Sequence, residues 1–176
     1  QYVAALNPTA GSFTINPRLQ RHFATFAVNF PSSLSLLQIY STFLDGHLAS
    51  FSEEVQGISS HLLNGALGLH AAVAANFKKS ATRSHYEFSV RHLSAVFQGL
   101  LTAQPAQFRE AGKLVRLWLH ESDRVYSDRL VSTEDQAKYR TLALNQAKKR
   151  FPSFNLSAYF ASTGAEPLLF CHYAES

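Results

Sequence analysis

The sequence predicts a mainly α chain with a small β part: two short strands of parallel-sheet type first, then a helical body. Two observations carry this. The apolar runs at residues 2–6 and 23–30 are short and continuous, and each is closed by Asn-Pro or Pro, as in strands buried on both faces. From residue 32 to about residue 150, apolar residues instead return every three or four positions behind polar or Pro starts, the pattern of amphipathic helices. With 176 residues, 46% hydrophobic and 16% charged, the chain can bury a real core and suffices for one domain or two small ones.

The elements follow in order. Tyr2-Val3-Ala4-Ala5-Leu6 is the first expected strand, and Ala10-Gly11-Ser12 is a loop. Asn16-Pro17 starts a helical turn, with Asn as N-cap and Pro at the first helical position. Residues 23–30 form the second expected strand. A helix from Ser32 or Ser33 to about Leu48 carries Leu36, Leu37, Tyr40, Phe43 and Leu44 on its apolar face. Ser52-Glu53-Glu54 caps and charges a helix expected to reach Phe77 without a break. After a polar, extended interval at residues 78–86, Ser89 caps a helix with Val90, Leu93, Phe97, Leu100 and Leu101 inward and Arg91 near its start. Pro105 is expected to open a long helix through Trp118 and Tyr126, and Thr133 another to about Arg150. From Phe151 the chain reads as irregular, with a candidate strand at residues 168–173. No internal repeat or low-complexity stretch is evident.

Charge and cysteine usage exclude several function classes. The net charge of +4 comes from scattered Lys and Arg, with Lys78-Lys79 and Lys148-Lys149-Arg150 the tight clusters, so solvated faces are expected and no nucleic-acid partner. One cysteine, Cys171, forbids an internal disulfide, and the Cys and His spacing suits no structural zinc. The uncharged stretches at residues 22–44 and 55–77 are interrupted by Asn, Gln, Pro, Ser, His and Gly, so no membrane span is expected. There is no basic n-region of a secretory signal, and a chain without any Met is expected to be a piece of something longer.

Two segments point to chemistry. A strand that delivers Asn7 at its end, followed by a Pro-started turn with Arg18 and Arg21, supplies two halves of a nucleotide site. Asn7 can orient a water, and either arginine can meet phosphate charge. The plainer readings are a turn Asn before Pro8 and a surface arginine. The segment with Trp118, His120, Glu121, Arg124 and Arg129 lacks a second His at helical spacing, so it is no zinc-protease motif; Trp118 is expected in the core and Glu121 paired with Arg124 or a neighbour. Cys171 and His172 are adjacent and would point to opposite faces of a strand, which argues against a thiolate–imidazole pair.

Four ordered blocks together resemble one family. Asn7-Pro8-Thr9-Ala10-Gly11-Ser12-Phe13-Thr14-Ile15-Asn16-Pro17-Arg18-Leu19-Gln20-Arg21-His22-Phe23 looks like the half of an AAA+ module that follows the Walker B strand in an axonemal dynein heavy chain, most like its third ring module. Phe88-Ser89-Val90-Arg91-His92-Leu93-Ser94-Ala95-Val96-Phe97-Gln98-Gly99, then residues 114–130, and more weakly Leu169-Phe170-Cys171-His172-Tyr173, follow in the family's order.

The resemblance implies two strands of an AAA+ large-subdomain parallel sheet in residues 1–31, a helical AAA+ lid in residues 32–150, and a connector toward the next module in residues 151–176. It places Asn7 at sensor I, Arg18 at the arginine finger that reaches the preceding module, with Arg21 as the rival, and Arg91 at sensor II on the lid. A cation at a helix N-terminus opposes the helix dipole, so some compensating anion is expected at Arg91. The implied cofactor is ATP or ADP with Mg in the intact motor. The implied partners are the adjacent AAA+ modules and, through the full-length motor, microtubules and other dynein subunits, in a ciliary or flagellar axoneme.

The sequence has no Gly-x-x-x-x-Gly-Lys-Ser/Thr phosphate loop, and no strand ending in Asp-Glu precedes Asn7, so the chain by itself is expected to be inactive as an ATPase. Two function classes follow: part of the AAA+ motor ring of a dynein heavy chain, or an autonomous helical scaffold or interaction module derived from such a segment.

Overall fold

The computed structural model describes residues 1–6, 15–154 and 170. The chain divides into two compact units, Gln1–Pro31 and Ser32–Ser176.

Among the described residues of the first unit the regular element is a single turn, α1 (Pro17–Gln20). It forms as its sequence predicts: the Asn16 side chain accepts the Arg18 N–H at 2.9 Å, and Pro17 fills the position where no donor is needed. The two expected strands do not form, and no strand occurs among the described residues. Residues 2–6 and 23–30 carry no regular structure, and Tyr2 and Val3 are 90% and 92% exposed. A strand is held by hydrogen bonds to a neighbouring strand, and the described residues offer none, so a strand-like sequence alone cannot make a sheet. The fold class is therefore corrected from mainly α with a two-strand sheet to helical.

Among its described residues the second unit holds six further α-helices: α2 (Ser33–Leu48), α3 (Glu53–Gly57), α4 (Ser59–Asn76), α5 (Val90–Leu100), α6 (Ala111–Tyr126) and α7 (Thr133–Arg150). A 3-10 turn, Ser127–Arg129, extends α6. Serines cap α2 and α7, Ser32 accepting the Ser35 N–H and Ser132 the Asp135 N–H, each at 3.1 Å; the Ser132 cap is not read from sequence, which begins that helix at Thr133. Both α2 and α7 end as expected, at Leu48 and Arg150.

Three expectations are corrected. The helix from residue 53 breaks at Ile58 into α3 and α4. Phe43 of α2 faces outward at 61% exposure, while Tyr40, Leu44 and Leu48 are buried. Pro105 does not open a helix, because α6 starts only at Ala111. The cause lies in α3: Ser52 donates its hydroxyl to the Arg109 carbonyl at 3.0 Å, and the Glu54 carboxylate accepts the Ala111 N–H at 3.3 Å. The start of α6 is thus capped from another helix, and Ser52 makes no side-chain cap for its own.

Packing pairs α5 with α6, and α4 with both α2 and α7, around one core. Trp118, Tyr126 and Tyr139 are its largest fully buried side chains. Gly65 of α4 lets the Trp118 ring approach, since a Cβ there would stand 3.3 Å from its Cη2. The candidate strand at residues 168–173 and the Cys171–His172 pair lie outside the described residues, apart from Phe170, whose ring stacks on Phe108 at 5.9 Å.

The interval between α4 and α5 is fastened to α7 through Tyr86 and Arg83. Tyr86 Oη donates to Asp135 at 2.9 Å and accepts the Val131 N–H at 3.1 Å, while Arg83 pairs with the same carboxylate at 2.7 Å. Tyr86 is 3% exposed, so its removal from this network is not repaired by water. Tyr86→Phe is expected to lower stability by about 1–3 kcal/mol, read from the urea midpoint; an unchanged midpoint would show that Arg83 alone holds Asp135.

Candidate functional site

The arginines singled out by the sequence lie at helix ends. Arg18 and Arg21 occupy α1 and its C-terminal end, both exposed, with Arg21 Nε 3.4 Å from His22 Nε2. The single turn fixes their backbones: the Arg21 N–H reaches the Pro17 carbonyl at 3.1 Å. Neither makes an ion pair among the described residues. Asn7 lies outside the described residues.

Arg91 stands in the first turn of α5, exposed, and it too makes no ion pair among the described residues. The compensating anion expected beside it is therefore not supplied by a described side chain. Arg91 stays solvated at a helix end that itself attracts negative charge, a combination suited to a phosphate.

The start of α5 is closed by a capping box in which His92 replaces the usual Glu or Gln: its Nδ1 accepts the Ser89 N–H at 3.0 Å. Its other nitrogen, Nε2, is 2.9 Å from Arg129 Nη1. Burial first, and then the Arg129 cation, hold the His92 pKa below the ordinary imidazole value. The neighbouring His70 is also lowered, by burial and then by His92, and its Nδ1 meets the Tyr126 hydroxyl at 3.0 Å.

The segment of Trp118 is structural. Trp118 is fully buried, and Glu121 Oε2 takes Arg124 Nη2 at 2.6 Å and Nε at 2.9 Å, the pairing expected from sequence. Among the described residues no three His, Cys, Asp or Glu side chains are placed to hold a metal ion, and no helix is long and apolar enough to cross a membrane. Sequence reading missed the contact of Arg129 with His92. Its only local signal is the Ser89-x-x-His92 spacing of a capping box, and Arg129 lies 37 positions away.

Residues 62–161 match the family described as the AAA+ lid domain. This chain belongs to that family. The lid's capped helices α5, α6 and α7 fall within the match. Over 99% of its length the lid chain is 53% identical to the flagellar outer-arm dynein alpha chain of Chlamydomonas reinhardtii, and 46% identical to human dynein axonemal heavy chain 17. It is 43% identical to the ciliary dynein beta chain of Tripneustes gratilla. The chain spans 4% of the length of each of these relatives. The resemblance to axonemal dynein heavy chains read from the four sequence blocks is thereby shown.

Proposed function

We propose that this lid serves the third AAA+ module of an axonemal dynein motor ring, where it senses nucleotide and passes the change to neighbouring modules during ATP-driven movement along microtubules. The observation that carries the reading is Arg91: an exposed cation on the first turn of α5, without an ion pair among the described residues, in a chain of the AAA+ lid family. In this reading Arg91 meets the phosphates of ATP or ADP bound with Mg in its own module and draws the lid toward them. Arg18, or Arg21 one turn on, presents its guanidinium to the nucleotide of the preceding module, and Asn7 orients water at its own. The nucleotide supplies the phosphoryl group that is cleaved; the chain's residues bind, orient and report. Residues 1–31 then belong to the large subdomain and residues 151–176 to the connector toward the next module. The other dynein subunits and the ciliary or flagellar axoneme follow as partners and location of the whole motor.

The test needs the intact heavy chain. Arg91→Ala is expected to weaken nucleotide binding at its own module by about tenfold or more, the scale of one lost charge-assisted contact. Arg18→Ala is expected to spare that affinity and to impair turnover or interface closure at the preceding module. Asn7→Ala is expected to slow hydrolysis more than binding, because an oriented water matters mainly in the transition state. Equal effects of Arg18→Ala and Arg91→Ala on one module's affinity would refute the two roles, and a larger effect of Arg21→Ala would move the finger. No effect from any of the four would leave the segment a scaffold.

A further inference from the structure

We propose that Arg129, acting through His92, is a positioning residue for Arg91: it ties the start of α5 to the end of α6, and the tie holds only while His92 is neutral. The proposal rests on the reading of Arg91 given above.

The geometry has two parts. Arg129 is gripped at both ends by residue 85: its Nη2 donates to the His85 carbonyl at 3.1 Å, and its own carbonyl faces His85 Nε2 at 3.1 Å. That fixes the guanidinium against the strap leading into α5. Its Nη1 then meets His92 Nε2 at 2.9 Å, while the opposite ring nitrogen lies 3.0 Å from the Ser89 nitrogen. Guanidinium and backbone N–H only donate, so the ring is approached by a donor on each side. A neutral ring can accept from Arg129 through Nε2 while its Nδ1 proton faces the Ser89 hydroxyl, 3.4 Å away, or it can accept the Ser89 N–H through Nδ1. An imidazolium carries protons on both nitrogens and can do neither.

The surrounding charge works in the same sense. From its own helix His92 faces Arg91, from the 3-10 turn Arg129, and from α4 His70; the opposing group is Glu87, which is itself paired with Lys79 at 2.7 Å. Because burial and Arg129 lower the folded-state pKa of His92 below its unfolded value, the tie is present above about pH 6.5 and is lost as the pH falls through the folded value. Arg91 is the residue next to this ring in the first turn of α5. Losing the tie therefore frees the first turn that aims Arg91, while the rest of the helix stays fixed by Leu93, Val96 and Phe97 in the core.

The test uses the intact heavy chain, with hydrogen exchange read on peptides spanning residues 86–97 and nucleotide affinity measured at the same module. In the unaltered chain, exchange at residues 90–93, corrected for its intrinsic pH dependence, is expected to rise about fivefold between about pH 7.5 and pH 5. Arg129→Gln is expected to show the fast exchange at both pH values and to weaken nucleotide binding in the direction of Arg91→Ala. His92→Gln offers Arg129 an amide oxygen acceptor that cannot be protonated; it is expected to remove the pH dependence while keeping protection. Exchange at residues 90–93 that is indifferent to pH and to Arg129→Gln would overturn the tie. A measurable tie with no change in nucleotide affinity in Arg129→Gln, where Arg91→Ala does weaken it, would overturn the positioning role. If Arg91→Ala itself has no effect, the reading of Arg91 falls and the positioning role with it.

Discussion

Gly99→Ala is expected to destabilise the helical unit by about 3 kcal/mol, against the usual gain of up to about 1 kcal/mol when alanine replaces glycine inside a helix. At Gly99 α5 passes so close to α6 that an added methyl would overlap the Glu121 carboxyl group and stand 2.5 Å from its Cγ. A clash with the tip of a side chain is relieved by a rotamer change, but Cγ cannot leave without swinging the whole side chain. Glu121 is 8% exposed and holds the half-exposed Arg124 through Oε2 at 2.6 Å and 2.9 Å, so its displacement moves a buried carboxylate away from its cation. Urea denaturation of the single and double variants checks this. Glu121→Ala removes the obstacle, so Gly99→Ala on that background is expected to cost at least 1 kcal/mol less than alone. Additive losses would mean that the methyl is harmful for some reason other than Glu121.

Asp123→Asn is expected to stabilise the chain at pH 8 by roughly 2–3 kcal/mol and to flatten its stability between about pH 4 and pH 6. Burial pushes the Asp123 carboxyl up to about 6, only partly offset by the Tyr139 hydroxyl and the Arg140 cation beside it. One of its oxygens, Oδ1, is buried with no hydrogen-bond partner among the described residues. The folded-state value lies above the unfolded one, so the protonated form favours folding. Its contribution is complete below the unfolded pKa and is lost as the pH rises through about 6. An amide has no charge to desolvate and ends that dependence. A variant that keeps the slope of the parent between pH 4 and pH 6 would place the titrating group elsewhere.

What could be read from the sequence was local. α2 follows from a serine start and a stripe of apolar residues, α7 from its Thr133-Glu134-Asp135 start, and both ends of each were legible because the signals lie within or beside the helix itself. The start of α6 was not, because its cap comes from Glu54, 57 positions earlier, and no pattern around Pro105 carries that information. The strands expected at residues 2–6 and 23–30 failed for a related reason: apolar runs state a preference for burial, and pairing depends on neighbours elsewhere. At the candidate site, Ser89 and Arg91 were legible from a cap and a charge. The grip of Arg129 on His92 was not, since the two meet only through the packing of α5 on α6.

The capping of α6 from outside also bears on how the chain tolerates change. Because Ser52 and Glu54 settle where α6 begins, the exposed residues 104–107, between the buried Ala103 and Phe108, are relieved of any duty to start a helix. Extra residues there would lengthen a surface excursion without rotating α6 or shifting the register of Trp118, which makes this connection a natural place for insertions to accumulate.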